Sequence, residues 1–180
     1  MRKVCIARVD RIGDFILTLP MEGFWRKTNP SDEVVWLAHE NVRFVTEHLD
    51  QKIKCKFIST PNSLLEKIQL AFELRKWFVS ENFKLFLSVH VPWWVALASF
   101  LAQIPDRVGT RSQWYSWLFF TRRLKQKRSQ AVMHESQYNI ELANFALKGS
   151  FAADVTDIAK LTANPENVLQ WQKILKNLFC

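Results

Sequence analysis

Glycine and cysteine are scarce in this chain. Four glycines and six prolines among 180 residues exclude collagen-like and low-complexity classes. No segment recurs at a period of about 20 to 50 residues, which excludes a solenoid. The three cysteines, Cys5, Cys55 and Cys180, are too widely spaced for a disulfide framework or a CxxC metal site, so a reducing, cytoplasmic compartment is expected. No His, Cys or carboxylate pair has metal-ligand spacing, and no metal is expected. Neither GxGxxG nor GxxxxGK[ST] occurs, so neither a dinucleotide fingerprint nor a P-loop is present. The first apolar run, Val4 to Ala7, ends at Arg8 and Asp10 and is too short for a signal peptide. Acidic residues are missing altogether from Arg107 to Met133, a stretch that holds seven basic ones.

What is present is the material of a core. Hydrophobic residues make up 48% and aromatic residues 13%, with eight Trp and fourteen Phe, enough apolar surface to exclude a disordered chain. Lys plus Arg number 25 against 17 Asp plus Glu, a net charge of +8, which favours an anionic partner. Because the excess is gathered in Arg107 to Met133, the charge forms a patch rather than a background.

Nearly continuous apolar runs at Val4 to Val9, Val34 to Ala38, Cys55 to Ser59, Leu85 to Val89 and Arg107 to Gly109 read as strands buried on both faces. Helical patterns separate them. One starts at Ser63, where Ser63 and Glu66 form a capping box; another runs from about Glu135 to Ala146. Leu85 to Pro105 carries no charged side chain and approaches the length of a membrane span. Pro92 divides it, so a strand followed by a helix through Trp93, Val95, Leu97 and Phe100 is the preferred reading. The alternation predicts an α/β fold with an open parallel sheet. Residues 1–150 read as one domain. Residues 151–180 read as a linker and a terminal amphipathic helix that includes Val168, Trp171, Ile174 and Leu178.

In open α/β sheets ligands bind at the carboxyl ends of the strands, so the loop after the first strand is the first candidate site. It reads Arg8-Val9-Asp10-Arg11-Ile12-Gly13-Asp14, then Leu17-Thr18-Leu19-Pro20. Gly13 allows a tight turn. Asp14 has two readings, a helix cap or a catalytic carboxylate.

This string resembles the opening of glycosyltransferase family 9, the lipopolysaccharide heptosyltransferases, with their R-x-D-x-I-G-D…T-x-P signature. The resemblance extends to Val34-Val35-Trp36-Leu37, to Lys84 through His90, to Arg107-Val108-Gly109, and to the stretch from His134-Glu135 to Tyr138-Asn139. It implies a Rossmann-like domain, the amino-terminal half of a GT-B glycosyltransferase, holding the sugar acceptor. The nucleotide-sugar donor, ADP-heptose by the same resemblance, would be bound by a carboxyl-terminal domain absent from this chain. The implied reaction is inverting transfer of a sugar to a lipopolysaccharide core, with Asp14 as general base, Arg11 and Gly13 beside the acceptor, and no cofactor or metal. One departure stands out. Family members often carry a polar residue and a Gly after the fourth strand, where this chain has His90-Val91-Pro92.

Trp114, Tyr115, Trp117, Leu118, Phe119 and Phe120 run directly into Arg122, Arg123, Lys125, Lys127 and Arg128. Rings beside cations suit a membrane interface, single-stranded nucleic acid, or a buried helix with a solvated basic end. With the resemblance, an anionic glycolipid acceptor, lipid A with inner core sugars, is the expected partner, bound through Arg111, Arg122 and Arg123. Nucleic acid is not expected. The implied location is cytoplasmic, peripheral on the inner face of the inner membrane. His134 either heads a helix or contacts an acceptor phosphate. The alternative to an enzyme is a non-catalytic single-domain protein that binds an anionic glycolipid or a membrane surface.

Overall fold

The structure is a computed structural model that describes residues 1–49, 52–130 and 132–148. The segment read from the sequence as a linker and terminal helix lies outside the described residues. Six parallel strands form one open sheet: β1 (Lys3–Arg8), β2 (Glu33–His39), β3 (Lys54–Ile58), β4 (Leu85–His90), β5 (Asp106–Thr110) and β6 (Arg122–Leu124), in the spatial order β3-β2-β1-β4-β5-β6. Successive side chains on a strand face opposite ways, which splits the interior into two layers. Val4, Ile6, Trp36, Leu85 and Leu87 face one core, and Cys5, Ala7, Leu37 and Phe86 face the other. The first layer is closed by α1 (Ile12–Ile16), α2 (Pro20–Thr28) and α7 (Glu135–Ala146). The second is closed by α4 (Leu64–Glu81) and α5 (Trp93–Leu101). Shorter turns of helix, α3 (Arg43–Glu47) and α6 (Ser116–Phe119), bridge the remaining connections. The Leu85 to Pro105 stretch is a buried strand and a helix, as its proline foretold; among the described residues no helix is long and apolar enough to cross a membrane.

Local sequence explains most boundaries. Ser63 accepts a hydrogen bond from the Glu66 amide at 3.1 Å, while the Glu66 carboxylate reaches back to the Asn62 amide at 2.7 Å and also to Ser63. Pro20 occupies the first turn of α2, where its missing N–H costs nothing. At α7 the Nδ1 of His134 accepts from the Ser136 amide at 3.3 Å, and Gln137 accepts from the His134 amide at 2.9 Å.

Two features depart from the sequence reading. First, Arg122–Leu124 is a strand, pairing in parallel with β5 through Val108 and Arg122. Its cations concealed this, because an edge strand needs fewer apolar residues than a central one. Second, the turn after β1 is already helical from Ile12, and Gly13 has no positive φ. The conformational freedom of that glycine is therefore unused. Gly109 is different: a β-carbon there would sit 2.4 Å from the buried Phe120 ring, so β5 must be bare at that point for Phe120 to pack.

Candidate functional site

The sheet order reverses at β1, which has β2 on one side and β4 on the other. A crevice forms outside the carboxyl ends of such a pair. The β1–β4 register slips between Ala7 and Arg8, and an irregularity of this kind re-aims the side chain that follows it. Here that side chain is Arg8, which is only 5% exposed.

Arg8 gathers three carboxylates. Its Nε donates to Asp10 Oδ1 at 2.6 Å; one terminal nitrogen lies 3.4 Å from Asp14 Oδ1, and the other donates to Glu135 Oε1 at 3.4 Å. Glu135 is shared with Arg128, which also donates to Gln126 Oε1 at 2.9 Å and Asn139 Oδ1 at 3.2 Å. The buried Asn139 amide donates to Leu17 O at 3.2 Å and Thr18 Oγ1 at 3.1 Å. Thr18 Oγ1 in turn donates to the Asp14 carbonyl at 2.7 Å. These bonds lock the start of α7 against the elbow between α1 and α2. Burial lowers the Arg128 pKa from its ordinary value, opposed by the charge of Glu135; a guanidinium nonetheless remains charged throughout the accessible range.

Asp14 lies within the first turn of α1 with 34% of its side chain exposed. It does not cap that helix. The cap position is Arg11, exposed and without a side-chain cap bond. A β-carbon at Gly13 would meet nothing within 4 Å, so the surface beside Asp14 is open.

Two hollows flank the charge cluster. A crevice of about 460 Å³ opens over the carboxyl ends of β1 to β4, lined by Asp10, His39, Thr60, His90 and Trp93 among others. There His39 Nε2 lies 2.9 Å from Thr60 Oγ1. A second hollow of about 410 Å³ lies past the ends of β5 and β6, lined by Thr110, Arg111, Ser112, Trp117, Lys125 and Arg128. It contains three cations and no carboxylate. Asp10 lines the first hollow and Arg128 the second, and the chain of ion pairs Asp10–Arg8–Glu135–Arg128 connects them.

The residues singled out from the sequence divide accordingly. Asp14, Gly13 and Arg11 share the first turn, and His134 is next to Glu135 but gives its Nδ1 to the α7 cap. Arg111 reaches the basic hollow, stacked over Trp117 at 4.8 Å, and Arg123 covers the same ring at 4.3 Å. Arg122 is placed apart from these. It holds Asp106 at 2.7 Å and 3.0 Å and donates to the Phe145 and Ala146 carbonyls at the end of α7. Asp106 pairs with Leu85 and Leu85 with Val4, so this bridge sits at the amino end of the sheet, away from Asp14. Its guanidinium is satisfied by structure. Conversely, Glu135 and Arg128 were not singled out as site residues, because the contact that brings Glu135 to Arg8 spans 127 positions. Among the described residues no three His, Cys, Asp or Glu side chains are grouped to hold a metal ion.

No protein-family model matches the sequence, and no curated protein does either. Solved structures do. A glycosyl transferase family 9 structure from Veillonella parvula DSM 2008 superposes over 99% of this chain and 50% of its own, with a TM-score of 0.76 at 16% identity. The chain has the fold of one half of a GT-B glycosyltransferase. Two E. coli structures share this GT-B lobe. An ADP-heptose lps heptosyltransferase II matches over 92% of this chain and 48% of its own at 17% identity and a TM-score of 0.65. The heptosyltransferase WaaC with ADP matches over 85% and 51%, also at 17% identity, with a TM-score of 0.63. The lobe thus spans about half the length of the solved structures it matches.

Proposed function

We propose that this chain is the acceptor-binding half of an inverting glycosyltransferase of the heptosyltransferase type, moving a sugar from a nucleotide-sugar donor, ADP-heptose, to a lipopolysaccharide core acceptor. The observation that carries the reading is Asp14: a partly exposed carboxylate at the carboxyl end of β1, held by Arg8, beside a glycine that leaves room for a ligand. The shared fold of the family 9 and heptosyltransferase structures supports it.

In this reading an acceptor hydroxyl lies within hydrogen-bond reach of Asp14, whose carboxylate takes the proton as the oxygen attacks the anomeric carbon. The carbon–oxygen bond to the nucleotide diphosphate breaks as the new one forms, and one displacement inverts the anomeric centre. Arg8 orients the carboxylate. Arg111, Lys125 and Arg128, with Arg123 against the Trp117 ring, supply cations for phosphates or acidic sugars of the acceptor. Arg11 and the free face of His134 are further acceptor contacts. The donor binds in a second lobe, and the reaction takes place on the cytoplasmic side of the inner membrane.

The test is transfer from ADP-heptose to a lipid A inner-core acceptor by the full-length protein. Asp14→Asn is expected to cut kcat by about 10²- to 10⁴-fold, the usual contribution of a positioned base, with unchanged thermal unfolding. Full activity of that variant removes Asp14 from the role.

A further inference from the structure

The segment between β5 and β6 is built to show apolar side chains to its surroundings. Tyr115 and Phe120 are buried, Phe119 packs on the same core, and the Tyr115 hydroxyl donates to the Val91 carbonyl. Ser116 is buried with them, and the residues that remain between these anchors face outward. Trp114, Trp117 and Leu118 are 68%, 56% and 63% exposed, on or beside a short helical turn flanked by buried rings. Monomer surfaces rarely cluster such groups without a partner.

The surrounding charge identifies the partner. Arg111 and Arg123 both lie against the Trp117 ring, Lys125 and Lys127 follow, and no acidic residue occurs from Arg107 to Met133. Large rings at headgroup depth with cations around them match an anionic bilayer surface, where apolar insertion and attraction to lipid phosphates act together. Position agrees. Gln113 and Tyr115 line the first hollow, and Arg111 and Trp117 line the second. The exposed turn is therefore a ridge between them.

We propose that the ridge Trp114–Leu118, with its flanking cations, docks this protein on an anionic lipid bilayer and so presents both hollows at headgroup level. A nucleic-acid strand is the competing occupant. The ridge favours lipid because Leu118 adds an aliphatic group that offers no stacking surface to a base. Docking does not depend on the sugar-transfer reading, since it concerns only this surface.

The experiment is flotation of the full-length protein with phosphatidylcholine vesicles, with and without phosphatidylglycerol. Binding is expected only with the anionic lipid. It should weaken between about 0.1 M and about 1 M salt, where the Debye length falls to about 3 Å. Trp114→Ala with Leu118→Ala should weaken it at least about tenfold, from the lost apolar burial. Lys125→Gln with Lys127→Gln should weaken it by about fivefold per cation. Both double variants should keep the parent's far-ultraviolet circular dichroism. Absence of binding by the folded protein, or binding indifferent to the Trp114/Leu118 pair, overturns the proposal. So does an oligothymidylate that binds more tightly than the vesicles and displaces them. Transfer to a water-soluble acceptor fragment by the Trp114/Leu118 variant reads the catalytic proposal separately, because that reaction needs no bilayer.

Discussion

The guanidinium of Arg8 lies 3.4 Å from Asp14 Oδ1 while its Nε binds Asp10 at 2.6 Å and its other terminal nitrogen faces Glu135. One buried cation thus offsets three carboxylates that approach from two ends of the chain. Removing it takes this cation from Asp10 and Asp14, whose side chains are 23% and 34% exposed, while Glu135 keeps Arg128. Arg8→Met is expected to destabilise the protein by about 1 to 3 kcal/mol, less than breaking a fully buried pair because the carboxylates keep some solvent, read by urea unfolding. Arg8→Lys should recover part of this, since a point charge cannot reproduce the forked contacts. Equal stability of Arg8→Met and the parent would mean that the cluster is not held by Arg8.

Gly13 offers a separation of stability from function. It is helical, has no positive φ, and leaves open space where a β-carbon would be. Gly13→Ala should therefore stabilise the fold by about 0.5 to 1 kcal/mol. If the acceptor approaches over this face, the same variant raises KM for acceptor. Chemical denaturation and acceptor titration read the two effects independently, and a stabilised variant with unchanged KM places the acceptor elsewhere.

Arg122 and Arg111 should behave oppositely. Arg122→Gln loses the Asp106 bridge and the bonds to the last carbonyls of α7, and a loss of about 1 to 3 kcal/mol is expected with acceptor KM unchanged. Arg111→Gln removes a cation from the basic hollow and should raise acceptor KM while thermal unfolding stays within a few degrees. Reversed outcomes would return Arg122 to the binding surface.

Alkaline pH should weaken the fold through groups kept neutral in the interior. Burial pushes the Cys5 thiol well up, the Cys55 thiol up to about 12, and the Tyr115 hydroxyl up to about 12. Their unfolded values are about 8.5 for the thiols and about 10 for tyrosine. A folded pKa above the unfolded one means that the contribution is whole below the unfolded value and is lost as pH rises toward the folded value. Stability should thus fall from about pH 8.5 for the thiols and more steeply between about 10 and 12 for Tyr115. Tyr115→Phe keeps the ring packing and should flatten the upper part of that decline in unfolding measured across this range. An unaltered slope would exclude Tyr115 from it.

The central sheet was legible in the sequence because strands buried on both faces must be apolar along their whole length, as Val4 to Ala7 and Leu85 to Leu87 are. The edge strand Arg122–Leu124 was not, because one neighbour and partial solvent exposure impose no such pattern. Asp14 could be singled out from its place after the first strand and from the string around it. That it lies inside the first helical turn rather than at the cap could not, since Gly13 suggested a turn whose special backbone the fold does not use.

The residues by themselves determined a parallel α/β sheet, the loop that carries Asp14, and a basic, aromatic segment free of acids. Only the tertiary structure decided which of those charges meet. Hydrophobic periodicity is a local property of the chain, whereas the Arg8–Glu135 contact closes 127 positions of sequence. Parallel packing, which sets β1 beside β4 and closes α7 over the same end, brings those charges together. The same packing sends Arg122 to the amino end of the sheet and Arg111 to the carboxyl end, a distinction that two arginines in one basic run cannot reveal.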